Sequence, residues 1–157
     1  LLSQKKGRSN TSCQKLVKIV EEGRCSLGRV QLIISWGMLN RLRKVLEQDL
    51  EVSLGVATSY LVAIQGYAQI GVSLTLGGTG IIPLQDTEDR HVLETALAGR
   101  AHILVTANFD DFISNDTKLI IPQRHAIYIA PNYNFHIVHP YLVMDWLRFG
   151  EIPEISF

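Results

Sequence analysis

Short apolar runs with strand character alternate along this chain with stretches whose apolar residues recur at helical spacing, and that alternation restricts the fold more than any other feature of the 157 residues. Leu16, Val17, Ile19 and Val20 repeat at helix spacing in a stretch that ends near Gly23, which predicts a short first helix. Residues 30–35 read as a buried strand. Leu39, Leu42, Val45 and Leu46 then recur at i, i+3, i+6 and i+7, with Arg41, Arg43, Lys44 and Glu47 off that stripe, the pattern of an amphipathic helix. A further helix is expected over 53–69. Ile81-Ile82 is a short apolar run closed by Pro83, and Val92, Leu93, Ala96 and Leu97 mark a helix over 88–99 that ends at a glycine. Strands over 102–106 and 126–130 and a closing helix over 141–149 complete the order. Strand and helix in turn predict an α/β fold with a central, mainly parallel sheet flanked by helices.

A chain of this length suits one domain, and a single domain over 1–157 is expected. With 46% hydrophobic and 19% charged residues and five prolines, it is neither disordered, collagen-like nor a coiled coil. Fifteen basic residues balance fifteen acidic ones, so no global positive field favours nucleic acid and any such binding has to be local. Cys13 and Cys25 form no Cys-x-x-Cys pair and are too few to staple a secreted fold; with no apolar run of membrane-spanning length and no signal-peptide pattern, a reduced, cytoplasmic protein is the expectation.

The acidic residues gather at two places. Asp86, Glu88 and Asp89 precede the 88–99 helix, and Asp110 and Asp111 follow the next strand. A helix of about 11 residues and a strand of about five each travel roughly 16 Å, so the chain descends and climbs back to its starting level. Both clusters are therefore expected at the carboxyl edge of the sheet, where open α/β sheets place their ligands. Carboxylates meeting there repel one another unless a hard cation sits between them, and an all-oxygen set suits Mg²⁺ or Mn²⁺. Each cluster also has a plainer reading: Asp86 as a helix N-cap with Glu88 favoured by the helix dipole, and Asp110-Asp111 as a solvated turn.

The run Asp86-Thr87-Glu88-Asp89-Arg90-His91-Val92-Leu93-Glu94-Thr95-Ala96-Leu97-Ala98, followed by Ile103-Leu104-Val105-Thr106-Ala107-Asn108-Phe109-Asp110-Asp111-Phe112, closely resembles the C-terminal half of PIN-domain nucleases. The resemblance implies a three-layer PIN-like α/β fold and a Mg²⁺- or Mn²⁺-dependent endoribonuclease, many of whose relatives are homodimeric toxins of type II toxin-antitoxin pairs held in check by an antitoxin protein. Asp89 matches the acidic residue opening the family's third conserved segment, and Asp111 the one in its fourth. Asn108 falls where the family has Asn or Asp beside the metal, and Thr106 on its strand-end Thr. Asp86 and Asp110 are neighbours able to assist.

The sequence departs from the family pattern twice. The family's first metal-binding Asp ends an N-terminal strand in an Asp-Thr-Asn run, and this sequence, opening on Leu1-Leu2, starts just beyond where that strand would lie; an N-terminal truncation relative to the family is the expectation. The family's acidic residue on the helix after the second strand aligns with Arg41, a cation in place of a carboxylate. Each lost carboxylate removes charge that would offset the reluctant dehydration of Mg²⁺, so weak metal binding is expected.

Other motifs carry less. Gly77-Gly78-Thr79-Gly80 precedes Ile81-Ile82-Pro83 where a phosphate cradle would open a helix, and reads as a hairpin or loop. His136 and His139 lack a third ligand nearby and read as surface or core histidines. His91 fits a phosphate contact and a buried, hydrogen-bonded ring equally. Lys5, Lys6, Arg8, Arg41, Arg43 and Lys44 offer local positive charge for RNA or simply solvated faces. Trp36 and Trp146 read as packing residues. The leading reading is a PIN-like ribonuclease; its rival is a degenerate PIN-like domain that binds RNA or a protein partner without cutting. A receiver-like phosphate-binding module explains the acidic edge but not the Val-Thr-x-Asn-x-x-Asp-Phe ending.

Overall fold

A computed structural model of the chain describes residues 11–70 and 87–156. The Ile81-Ile82 run, the glycine-rich 77–80 segment, Asp86 and Lys5, Lys6 and Arg8 lie outside the described residues. The chain divides into two compact units, one of Gln31–Ala101 and the other of Leu1–Val30 with His102–Phe157.

In the unit Gln31–Ala101 the first described strand, Leu32–Ile34, is shorter than expected because Ser35 leaves the ladder to cap the next helix, its hydroxyl accepting from the Met38 N–H at 3.2 Å. That helix, Trp36–Lys44, continues into a π-helical turn, Val45–Asp49, and a second helix spans Leu54–Tyr67. A strand, Ala68–Ile70, then pairs in parallel with Leu32–Ile34, the two helices forming the crossover that parallel pairing requires. Ile34, Leu39 and Leu61 form the core with Leu32, Met38, Leu42 and Ile64. The helix Thr87–Ala98 packs on the Leu32–Ile34 strand and on Trp36–Lys44, burying Leu93 completely. Just past its end, a Cβ on Gly99 would collide with the Ile33 side chain, so only glycine fits this approach. Trp36, expected to pack, is 47% exposed.

The other unit is assembled from both flanks of the sequence. Its first described helix, Ser12–Glu22, starts with a reciprocal capping box between Thr11 and Gln14 and stops at Gly23, whose φ of 70° is the left-handed conformation that glycine adopts freely. A two-residue-per-strand hairpin follows, Arg24–Cys25 against Gly28–Arg29. We number the strands of this unit's main sheet β1 (Ile103–Val105), β2 (Thr117–Ile121), β3 (His125–Ile129) and β4 (Asn134–Val138), and the helices α1 (Ser12–Glu22) and α2 (Pro140–Phe149). The sheet order is β1-β4-β3-β2. β1 runs parallel to β4, while β4-β3 and β3-β2 are antiparallel.

The α/β class is thus observed, but the four-stranded sheet differs from the mainly parallel one expected, having one parallel pairing and two antiparallel. The reason is local: β2, β3 and β4 are joined by short turns, which only antiparallel strands permit. Phe135, Ile137, Val138 and Ala126 are fully buried. Trp146 and Val143 of α2 close the core on Val138, with Leu16 of α1 and Ile103 of β1 against them. His125 and His136 are buried in the same core, 4% exposed each, with Trp146 edge-on to both rings. Outermost is β2, with Leu119, Ile120 and Ile121 exposed and a register shift between Leu119 and Ile121.

Candidate active site

β1 delivers the chain to the acidic doublet. Immediately after it, the Thr106 N–H donates to the Val138 carbonyl at 3.0 Å, extending the pairing with β4 by one bond. The Thr106 hydroxyl then accepts from the Asn108 N–H at 3.1 Å, which turns the chain out of the sheet. A single 3₁₀ turn, Phe109–Phe112, follows. Phe109 and Phe112 are buried at 3% and 5% exposure, and Asp110 and Asp111 between them are exposed. Two aromatic anchors therefore hold two carboxylates at the surface, and the Asp111 N–H donates back to the Asn108 carbonyl at 3.2 Å.

A shallow concavity of about 270 Å³ opens here, lined by Asn108, Asp110 and Asp111 from this turn and by Gln123 and His139 from the ends of the β2-β3 turn and of β4. His139 caps α2: its Nδ1 accepts from the Tyr141 N–H at 3.2 Å. Its pKa is lowered, first by partial burial and then by the Arg124 charge, which keeps the ring neutral near pH 7 with its proton on Nε2.

Of the residues expected in the site, Thr106, Asn108, Asp110 and Asp111 come together in this turn. Asp89 stands in the first turn of the Thr87–Ala98 helix, half-buried, in the unit Gln31–Ala101. Asp86 is outside the described residues. On the same helix, the His91 Nδ1 lies 3.7 Å from the Glu94 Oε2, and the Thr95 hydroxyl donates to the His91 carbonyl at 2.8 Å, so the His91 ring has a partner within the helix. Asn108, Asp110 and Asp111 present only oxygen donors, the kind a hard divalent cation takes. Among the described residues no three His, Cys, Asp or Glu gather closely enough to hold a metal ion.

A family model described as the PIN domain matches residues 1–110 of the 157. The chain belongs to the PIN domain family. The match to this PIN domain takes in the unit Gln31–Ala101, β1, Thr106 and Asn108, and ends at Asp110. No characterised protein and no solved structure gave a match. PIN domains are generally nucleases acting on RNA, so membership supports a ribonuclease-like function. No helix among the described residues of this PIN domain is long and apolar enough to cross a membrane.

Gln123 and His139 were not foreseen from the sequence as site residues. His139-Pro140 was nevertheless readable as a cap followed by proline at the first helical position, which places a histidine at a helix entrance.

Proposed function

We propose that this PIN domain is a metal-dependent endoribonuclease in which Asp89 and Asp111 are the catalytic carboxylates and metal ligands, Asp86 and Asp110 assist as ligands, and Asn108 and Thr106 support them. The observation that carries the reading is the 3₁₀ turn at the end of β1, which exposes Asp110 and Asp111 between two buried phenylalanines in a chain of a nuclease family. When bound, Mg²⁺ or Mn²⁺ supplies Lewis-acid activation of the attacking water and neutralises charge at the leaving oxygen. The chain's own part is to fix Asp110 and Asp111 relative to β1 through the Thr106 and Asn108 hydrogen bonds. The family's three-layer architecture, the single domain over 1–157, a cytoplasmic setting, a homodimer and a toxin role under control of an antitoxin belong to the same proposal.

Incubation of the full chain with a mixed-sequence RNA and Mn²⁺ tests it. Cleavage that stops in EDTA and is lost in Asp89→Asn and Asp111→Asn is the expected result; cleavage that survives either substitution counts against these assignments. The second reading, an RNA- or protein-binding domain that does not cut, is favoured by the exposed Arg41 on the Trp36–Lys44 helix, a cation where the resemblance puts a carboxylate. It predicts RNA binding that ignores EDTA and no cleavage at any Mn²⁺ concentration.

A further inference from the structure

The concavity beside Asp110 and Asp111 has a second side that differs in chemistry from the first. Where the β2-β3 turn ends, the Arg124 carbonyl accepts from the His139 N–H at 2.9 Å, so the backbone itself holds these two residues together across the β3-β4 hairpin. From there the Arg124 guanidinium reaches over the Tyr141 ring, its carbon 5.3 Å from the ring centroid. The His139 ring meets the same tyrosine at 4.7 Å with the planes at 66°. Tyr141 is 60% exposed even so, a large aromatic face left to solvent against His139, whose own ring lines the concavity.

RNA approaching Asp110 and Asp111 brings phosphates toward two carboxylates, and a chain with no net charge offers no general attraction to offset that repulsion. A cation beside His139, and an N–H donor on His139 itself in the lining that also holds the carboxylates, supply the local attraction. His139 is suited to donate, because its Nδ1 is occupied by the Tyr141 N–H and its proton is therefore on Nε2. An exposed aromatic ring carrying an arginine is the platform on which an unpaired base stacks.

We infer that Arg124, His139 and Tyr141 form the RNA-holding wall of this site, with Tyr141 stacking on a base of single-stranded RNA and Arg124 and His139 donating to an adjoining phosphate. The inference rests on the ribonuclease reading for its substrate class, and it concerns residues beyond the family match, which ends at residue 110.

Binding and cutting are measured separately. The full chain is titrated, in EDTA, into a fluorescein-labelled single-stranded oligoribonucleotide of about ten mixed nucleotides, a length that exceeds the smallest single-strand sites, and anisotropy is read. Tyr141→Ala is expected to weaken binding about tenfold while Tyr141→Phe retains it. Arg124→Gln is expected to weaken binding and to lower the slope of log affinity against log salt by roughly 0.7 to 1, one phosphate contact. Circular dichroism confirms that the variants fold. Wild-type affinity in both Tyr141→Ala and Arg124→Gln overturns the inference, and so does a wild-type chain that binds no RNA. A wild-type chain that binds RNA, loses binding in these variants and yet cuts nothing with Mn²⁺ supports the wall and removes the ribonuclease reading.

Discussion

His125 and His136 share one hydrogen bond inside the core, Nε2 to Nδ1 at 2.9 Å, bridging diagonally between β3 and β4. The direction of the bond follows from a third residue. His136 also bonds to the backbone of Pro153, which has no N–H, so the ring has to donate there through Nε2 and accept at Nδ1; His125 is then the donor between the two rings. Neither ring accepts a second proton cheaply. Burial and the neighbouring His136 lower His125 to a pKa of about 4, and burial lowers His136 despite the opposing bond to Pro153.

Stability is therefore expected to depend on pH in the acid range. The folded-state pKa lies below the unfolded value of 6.5, so the unfolded chain binds more protons between the two, and the contribution is present above about pH 6.5 and lost as pH falls toward about 4. The loss is of the order of 1–3 kcal/mol. Urea midpoints measured from pH 7.5 down to 4.5 check it, and His125→Gln, which keeps a donor toward His136 and removes this titration, flattens the curve. A midpoint unchanged over that range removes the claim.

Gly99→Ala should destabilise the unit Gln31–Ala101 although the glycine has ordinary backbone angles, because the added methyl meets the branched, stiff side chain of Ile33. The cost is about 1–3 kcal/mol, and the double variant with Ile33→Ala recovers part of it. Denaturant unfolding of the two single variants and the double one gives the coupling directly; strict additivity would mean that the two side chains do not meet.

Thr106→Val keeps the shape of the residue and removes the oxygen that accepts from the Asn108 N–H. Stability is expected to fall by only about 1 kcal/mol. RNA cleavage should fall more, roughly ten- to a hundredfold, because the turn that positions Asp111 is no longer tied to β1. Single-turnover rates separate this from weakened RNA binding, which the anisotropy assay should find unchanged.

The two tryptophans should behave differently on truncation. Trp146→Ala removes a ring packed on Val138, His125 and His136 and is expected to cost about 3–5 kcal/mol. Trp36→Ala, at a position 47% exposed, should change stability by about 0.5 kcal/mol or less. Thermal denaturation of both variants makes the comparison.

The parts of this fold that could be read from sequence are those whose cause is local. Gly23 ended a helix where it was expected to, and Val92, Leu93, Ala96 and Leu97 set the buried side of another. β3 was legible from Ala126 onward because Ala126, Ile127 and Tyr128 are buried and apolar or aromatic in succession. β2 and β4 were not: β2 shows an exposed run without alternation, and β4 contains a histidine whose burial depends on a partner 11 residues away. The antiparallel pairing was hidden for the same reason, since element alternation says nothing about which strands return by a tight turn. In the site, Asp110-Asp111 stood out as a doublet, whereas Gln123 and His139 reach it only through the pairing of β3 with β4.

One consequence follows from the way the second unit is drawn from both flanks of the sequence. α1 packs on α2, and Ser26 donates to the Leu147 carbonyl at 2.6 Å, so residues near the beginning find their partners near the end. On the ribosome, which adds about 5–20 residues each second, Gln31–Ala101 is complete and free to collapse while α1 still waits for α2 to be made. During synthesis the apolar side of α1 stays without its cover for seconds, and a nascent chain stalled before Pro140 leaves it so. The order of translation thus assigns the early risk of aggregation, and of capture by chaperones, to α1, which is made long before the helix that covers it.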